Sequence, residues 1–120
     1  LNVVSETEFF PWDPIFVTEK TFKPIIGLRP FLLNGNLRTY KWLRKNGFKT
    51  FTHYFPFSNL EDTHEDSVVP NIIKALVWLD KQPRDKLLEM YNDMLPDLYW
   101  NRERFYEFAE EQKKKIDNLF

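Results

Sequence analysis

The sequence predicts an α/β domain: a Rossmann-like half with a short, mainly parallel sheet, flanking helices and a helical C-terminal tail. Three observations carry this reading. Leu1–Val4 is a short apolar segment with a β-branched pair, and Pro30–Asn34 is a continuous apolar run of the kind found in a strand covered on both faces. Between and after these runs lie helical patterns joined by short connections. The resulting order of strand, helix, strand, helix, strand calls for parallel pairing through crossovers. The expected layout is a single domain over residues 1–120, with a βαβαβ core and its loop over 1–66 and a helical tail over 67–120. Such a unit also suits one half of a longer two-domain protein.

Composition supports a packed domain. At 120 residues with 42% hydrophobic and 18% aromatic content, the chain can bury a real core. Twelve Phe and four Trp are more than so small a domain can hide, so some are expected at a pocket or a subunit contact. Seventeen basic residues against eighteen acidic ones give a net charge of -1, so no general attraction to nucleic acid or anionic membranes is expected, and any phosphate binding must be local. The absence of cysteine excludes disulfides, thiolate chemistry and Cys-based zinc sites. There is no apolar run long enough to span a bilayer and no leader pattern, which points to a cytoplasmic protein.

Thr18 is a good N-cap, with Glu19 in the first turn, where its charge suits the helix dipole; Thr21 at N3 makes the capping box imperfect. Pro24 falls inside this helix and is expected to kink or shorten it, and Gly27 is the expected stop. After the strand at Pro30–Asn34, Asn34-Gly35-Asn36 turns the chain. Leu37–Asn46 reads as a helix with Leu37, Tyr40, Leu43 and Trp42 inward and Arg38, Lys41, Arg44 and Lys45 outward, closed by Gly47. Phe48–Phe51 alternates like a short strand.

Thr52–Asp66 is a long loop with an aromatic front and an acidic rear. A helix follows over Val68–Asp80, with Ile72, Ile73, Leu76, Val77 and Leu79 as its buried side. Pro83 opens another helix to about Met94, and Pro96 is expected to break or bend the chain before a last helix carrying Leu98, Tyr99, Phe105, Phe108, Ile116 and Leu119. Glu110–Lys115 reads as a solvated face with acid-to-lysine pairs.

A nucleoside diphosphate needs cationic donors for its phosphates and an acceptor for its ribose hydroxyls. The expected binding set is Thr18, Glu19, Lys20, Lys23, Asn34 and Gly35, where a capped helix start faces the end of a neighbouring parallel strand. Lys20 and Lys23 supply point charges, and Glu19 can accept both hydroxyls of a ribose. Tyr54, Phe55 and Phe57, with Trp12 and Trp100, are candidates for stacking a base or sugar ring, or for core and interface. His53 is a candidate base without a partner nucleophile. His53, Glu61, Asp62, His64, Glu65 and Asp66 have metal-ligand types at a spacing that matches no metal site, so no metal and no cofactor are expected. No Walker A loop, Gly-x-Gly-x-x-Gly fingerprint or Gly-x-Ser-x-Gly elbow is present, which disfavours phosphate-loop hydrolases, dinucleotide dehydrogenases and serine hydrolases.

Val17-Thr-Glu-Lys20, a short helix, Gly27, an apolar strand and Gly35 resemble the donor-binding motif in the second domain of fucosyltransferase-like GT-B glycosyltransferases. The longer pattern Glu19-Lys-Thr-Phe-Lys-Pro24, Pro30-Phe31, Gly35 and Leu43-Arg44 with Gly47-Phe-Lys-Thr-Phe51 also resembles short proteins of phages and marine bacteria. The resemblance covers roughly residues 15–55. It implies that Glu19 contacts the ribose and Lys20 the pyrophosphate of a nucleoside diphosphate sugar. Because such enzymes place their ligands between two domains and usually take their catalytic base from the first, it implies a donor-binding half, a fragment, or a degenerate relative that no longer transfers sugar. The alternative expectation is a non-enzymatic α/β module that self-associates as a homodimer.

Overall fold

The structure, a computed structural model, describes residues 1–5, 19–34, 38–56, 60 and 65–119. Among these residues it contains two strands and four α-helices in the order β1 (Asn2–Ser5), α1 (Glu19–Ile26), β2 (Phe31–Asn34), α2 (Arg38–Lys45), α3 (Glu65–Asp80) and α4 (Arg84–Asp117), with one 3-10 turn at Thr52–Tyr54. The expected Rossmann-like sheet is not there. The molecule is mostly helical, and its sheet is a single parallel pair in which Asn2 faces Phe31 and Ser5 faces Asn34.

The reason lies at Phe48–Phe51, which forms no strand. In a parallel pair alternate residues point their peptide groups to opposite sides. The Asn2 N–H reaches the Pro30 carbonyl at 3.0 Å, so the Leu33 N–H faces away from β1. That N–H donates to the Tyr40 hydroxyl of α2 at 2.8 Å, which occupies the place of a third strand. Lys49 in turn is paired by a side chain: its N–H donates to Asn101 Oδ1 at 2.6 Å, and Asn101 Nδ2 donates to its carbonyl at 2.9 Å.

β2 behaves as its apolar run predicts. Phe31 and Leu33 point into the larger core with Val4, Ile25, Tyr40, Leu43, Phe48, Phe51, Met94 and Leu98. Leu32 points the other way, into a smaller core with Phe55, Leu60 and Ala75 of α3. Alternation on a two-residue period thus binds α3 to one face of the pair and α1, α2 and α4 to the other. Burying each of these large apolar side chains contributes about 1.5–3 kcal/mol.

α1 tolerates Pro24 because it is only two turns long and the ring is fully buried. The stop is different from the expected one: the left-handed residue is Leu28, with φ of 56°, and Gly27 precedes it. The Leu28 N–H donates to Ile25 O at 3.3 Å and the Arg29 N–H to Pro24 O at 2.9 Å, the paired bonds of a Schellman ending. α2 ends the same way at Gly47, with φ of 87° and the Phe48 N–H donating to Leu43 O at 2.8 Å.

α4 is one helix of 34 residues, beginning after Pro83, not two helices separated at Pro96. At 1.5 Å per residue it is about 51 Å long, close to the longest dimension of the molecule, 54 Å. Pro96 removes one backbone bond, but packing on either side of it holds the axis: Met94 and Leu98 are both buried in the main core. The outward half of α3 departs from expectation too. Ile72 is buried, but Ile73, Leu76 and Val77 are exposed, as are Tyr99 and Ile116 of α4 and Leu119 just after it. No helix among the described residues is long and apolar enough to cross a membrane.

Candidate functional site

α1 follows β1 in the chain and packs against both β1 and α4. Its residues Lys20 and Lys23, one turn apart, lie on the same exposed side because three positions nearly complete a helical turn. Together with Asn2, Val3, Val4 and Pro24 they line an open hollow of about 620 Å³. Two of the six predicted binding residues therefore come together beside the strand. Thr18 and Gly35 lie outside the described residues, as do the side chains of Glu19 and Asn34. Thr21, the imperfect N3 residue, is fully buried.

A second hollow of about 480 Å³ opens where α4 meets the end of α2, lined by Arg44, Lys49, Thr50, His53, Asp97 and Trp100 together with Gly47 and Phe48. Three α4 side chains hold the end of α2 and Lys49 against α4. Trp100 Nε1 donates to Gly47 O at 2.7 Å, Arg104 Nε donates to Asn46 O at 2.6 Å, and Asn101 grips Lys49. The Arg104 guanidinium thus meets the negative, carbonyl end of α2, where a cation is favoured. Its far nitrogens reach Glu111 at 2.9 Å and Glu107 at 3.4 Å. The hydrogen bond from Arg104 holds the Glu111 carboxyl below its usual range, and the same bond raises the Arg104 pKa.

Of the aromatic candidates, Phe55 belongs to the smaller core and Tyr54 is half-buried, its hydroxyl donating to Asp97 Oδ2 at 3.1 Å. Trp100 is 54% exposed. Trp12 and Phe57 lie outside the described residues, as do residues 61–64 of the acidic loop; His53 is exposed and its ring lies 4.3 Å from that of Tyr54. Among the described residues no group of three or more metal-ligand side chains comes together.

Sequence reasoning missed Arg44, Lys49, Thr50 and Asp97 as site residues. One signal was available: no acidic residue occurs between Glu19 and Glu61, while eight lysines and arginines fall from Lys20 to Lys49. A scan against protein-family models found no match, and searches of curated proteins and of solved structures found none either.

Proposed function

We propose that this chain is a glycosyltransferase-like domain that binds a nucleoside diphosphate or its sugar, with Lys20 and Lys23 receiving the diphosphate. The observation that carries this reading is the convergence of the two lysines on one hollow beside β1. The Thr18-Glu19-Lys20 resemblance supports it, with Glu19 as the ribose acceptor, and the acid-free stretch that follows adds positive potential for an anion. The Rossmann sheet is no part of the proposal; the β1–α1–β2 unit and the cationic side of α1 are sufficient for binding. Uridine and guanosine diphosphates, and their sugars, are expected to raise the melting temperature by preferential binding to the folded state. Lys20→Ala and Lys23→Ala should each reduce that rise, and a chain whose melting is unmoved by the whole series at millimolar concentration does not have this function.

A second reading is favoured by α3. Val69, Ile73, Leu76 and Val77 make an exposed apolar stripe on it, and Leu76 lines a hollow together with exposed Leu87 of α4. The stripe follows helical spacing and presents the same surface on every molecule, so a second copy of this chain is its natural cover. Sedimentation at rising concentration should show a dimer that Ile73→Glu converts to monomer. A wild-type protein that stays monomeric at high concentration removes this reading and leaves the first intact.

A further inference from the structure

We propose that the hollow between α4 and the end of α2 binds a phosphorylated sugar, at a site separate from Lys20 and Lys23. Its lining divides into three chemistries, each suited to one part of such a ligand. Arg44 and Lys49 bring two cationic side chains to the lining, together with the exposed His53 and the buried Thr50. Arg44 is oriented by its Nε, which donates to Thr50 Oγ1 at 3.3 Å. Two cations and a hydroxyl make a receptor for a phosphate group, as charge-assisted hydrogen bonds are the strong ones.

Asp97 carries the second chemistry. A lone carboxylate beside a phosphate repels it, but a carboxylate beside a sugar accepts hydrogen bonds from ring hydroxyls. One Asp97 oxygen already accepts from Tyr54 at 3.1 Å, which fixes the carboxylate in place. Trp100 carries the third. Its indole is held by the Nε1 bond to Gly47 O, yet 54% of the residue remains exposed, so a flat apolar surface is presented in a fixed position. Such surfaces suit the C–H face of a sugar ring. The Lys49 ammonium lies over one face of the indole, 5.0 Å from its centroid, which places a cation against the ring platform.

The stretch from Lys20 to Lys49, which supplies Arg44 and Lys49, holds eight positive side chains and no negative ones, on a chain whose net charge is -1.

The test is a titration of the full chain, labelled with nitrogen-15, in which the Trp100 indole N–H signal is identified by its loss in Trp100→Phe. The probes are glucose 6-phosphate and uridine monophosphate, with inorganic phosphate and glucose alone as references. The indole signal is expected to move with either phosphorylated sugar, at about tenfold lower concentration than with inorganic phosphate, and Lys49→Met should weaken the response about tenfold. Lys49 is tied to Asn101 through its backbone, so this variant should keep the fold, which the remaining amide signals will show. Lys20→Ala should leave the response unchanged, so failure here is distinguishable from failure of the diphosphate site. No movement of the indole signal with any probe at millimolar concentration, or a response that survives Lys49→Met or disappears in Lys20→Ala, overturns the proposal. Equal affinity for inorganic phosphate and the sugar phosphates overturns it as well.

Discussion

The side-chain amide of Asn101 takes both the N–H and the carbonyl of Lys49, fifty-two residues away, in the paired manner of a neighbouring strand. Asn101 is 1% exposed, so neither half of this exchange is replaced by water if it is lost. Asn101 thus supplies the backbone pairing of Lys49, while Trp100 and Arg104 of the same helix hold Gly47 and Asn46 beside it.

Asn101→Leu should therefore destabilise the protein by about 2–4 kcal/mol, since a peptide donor and acceptor are left in a dry site while the side-chain volume is kept. Asn101→Asp should fail similarly, because its oxygens accept from Lys49 N–H but meet Lys49 O with repulsion. Urea denaturation of both variants measures this. A loss below about 0.5 kcal/mol would mean that the pairing contributes nothing net.

The two turn glycines should respond to alanine with opposite signs. Gly27 has no positive φ, and a Cβ there meets the Lys23 carbonyl oxygen at 3.4 Å, an ordinary contact. Gly27→Ala is expected to stabilise by about 0.4–1 kcal/mol through the unfolded chain. Gly47 has φ of 87° and a Cβ there lies 3.0 Å from Arg104 Nε, which must then leave Asn46 O. Gly47→Ala should cost about 1–2 kcal/mol for the backbone alone, and paired thermal melts will show whether the signs differ.

Tyr54 predicts an alkaline transition. Burial first, then the hydrogen bond to Asp97 and the charges of Asp97 and Asp93, push its pKa up to about 12. An unfolded tyrosine ionises near pH 10. The folded state binds this proton more tightly, so the contribution to stability is full below about pH 10 and drains away as pH rises toward the folded value. Wild type should lose more stability over that window than Tyr54→Phe, and one tyrosine should lag in a phenolate absorbance titration. Identical pH profiles in the two proteins would contradict the assignment.

Pro96→Ala should raise stability by about 1–3 kcal/mol, because Pro96 is exposed inside a continuous helix and alanine restores a donor for the Asn92 carbonyl. A drop in melting temperature would instead show that the packing of Met94 and Leu98 needs the geometry that proline imposes.

Local signals made the first half of the fold legible. β1, α1, β2 and α2 fall within a residue or two of their expected bounds, because β-branched residues, an apolar run and a glycine at φ of 87° act at short range. Phe48–Phe51 has a strand's alternation, but whether it joins a sheet is decided by the Tyr40 hydroxyl and by Asn101, neither of which marks that segment in sequence. Pro96 reads as a break because its cost is local, while the packing that offsets it is tertiary. Leu28 hides for the same reason: nothing in a leucine announces φ of 56°, and Tyr91, whose hydroxyl donates to Leu28 O at 3.0 Å, comes from α4. At the site, Lys20 and Lys23 were readable from helical spacing, whereas Arg44, Lys49, Asp97 and Trp100 meet only once α4 has docked.

The Tyr40 hydroxyl has a consequence for how copies of this chain can stack. It plugs the far border of β2, while beyond β1 no strand follows among the described residues. A neighbouring copy therefore cannot extend the sheet at that border of β2 without first displacing the Tyr40 hydroxyl from the Leu33 N–H.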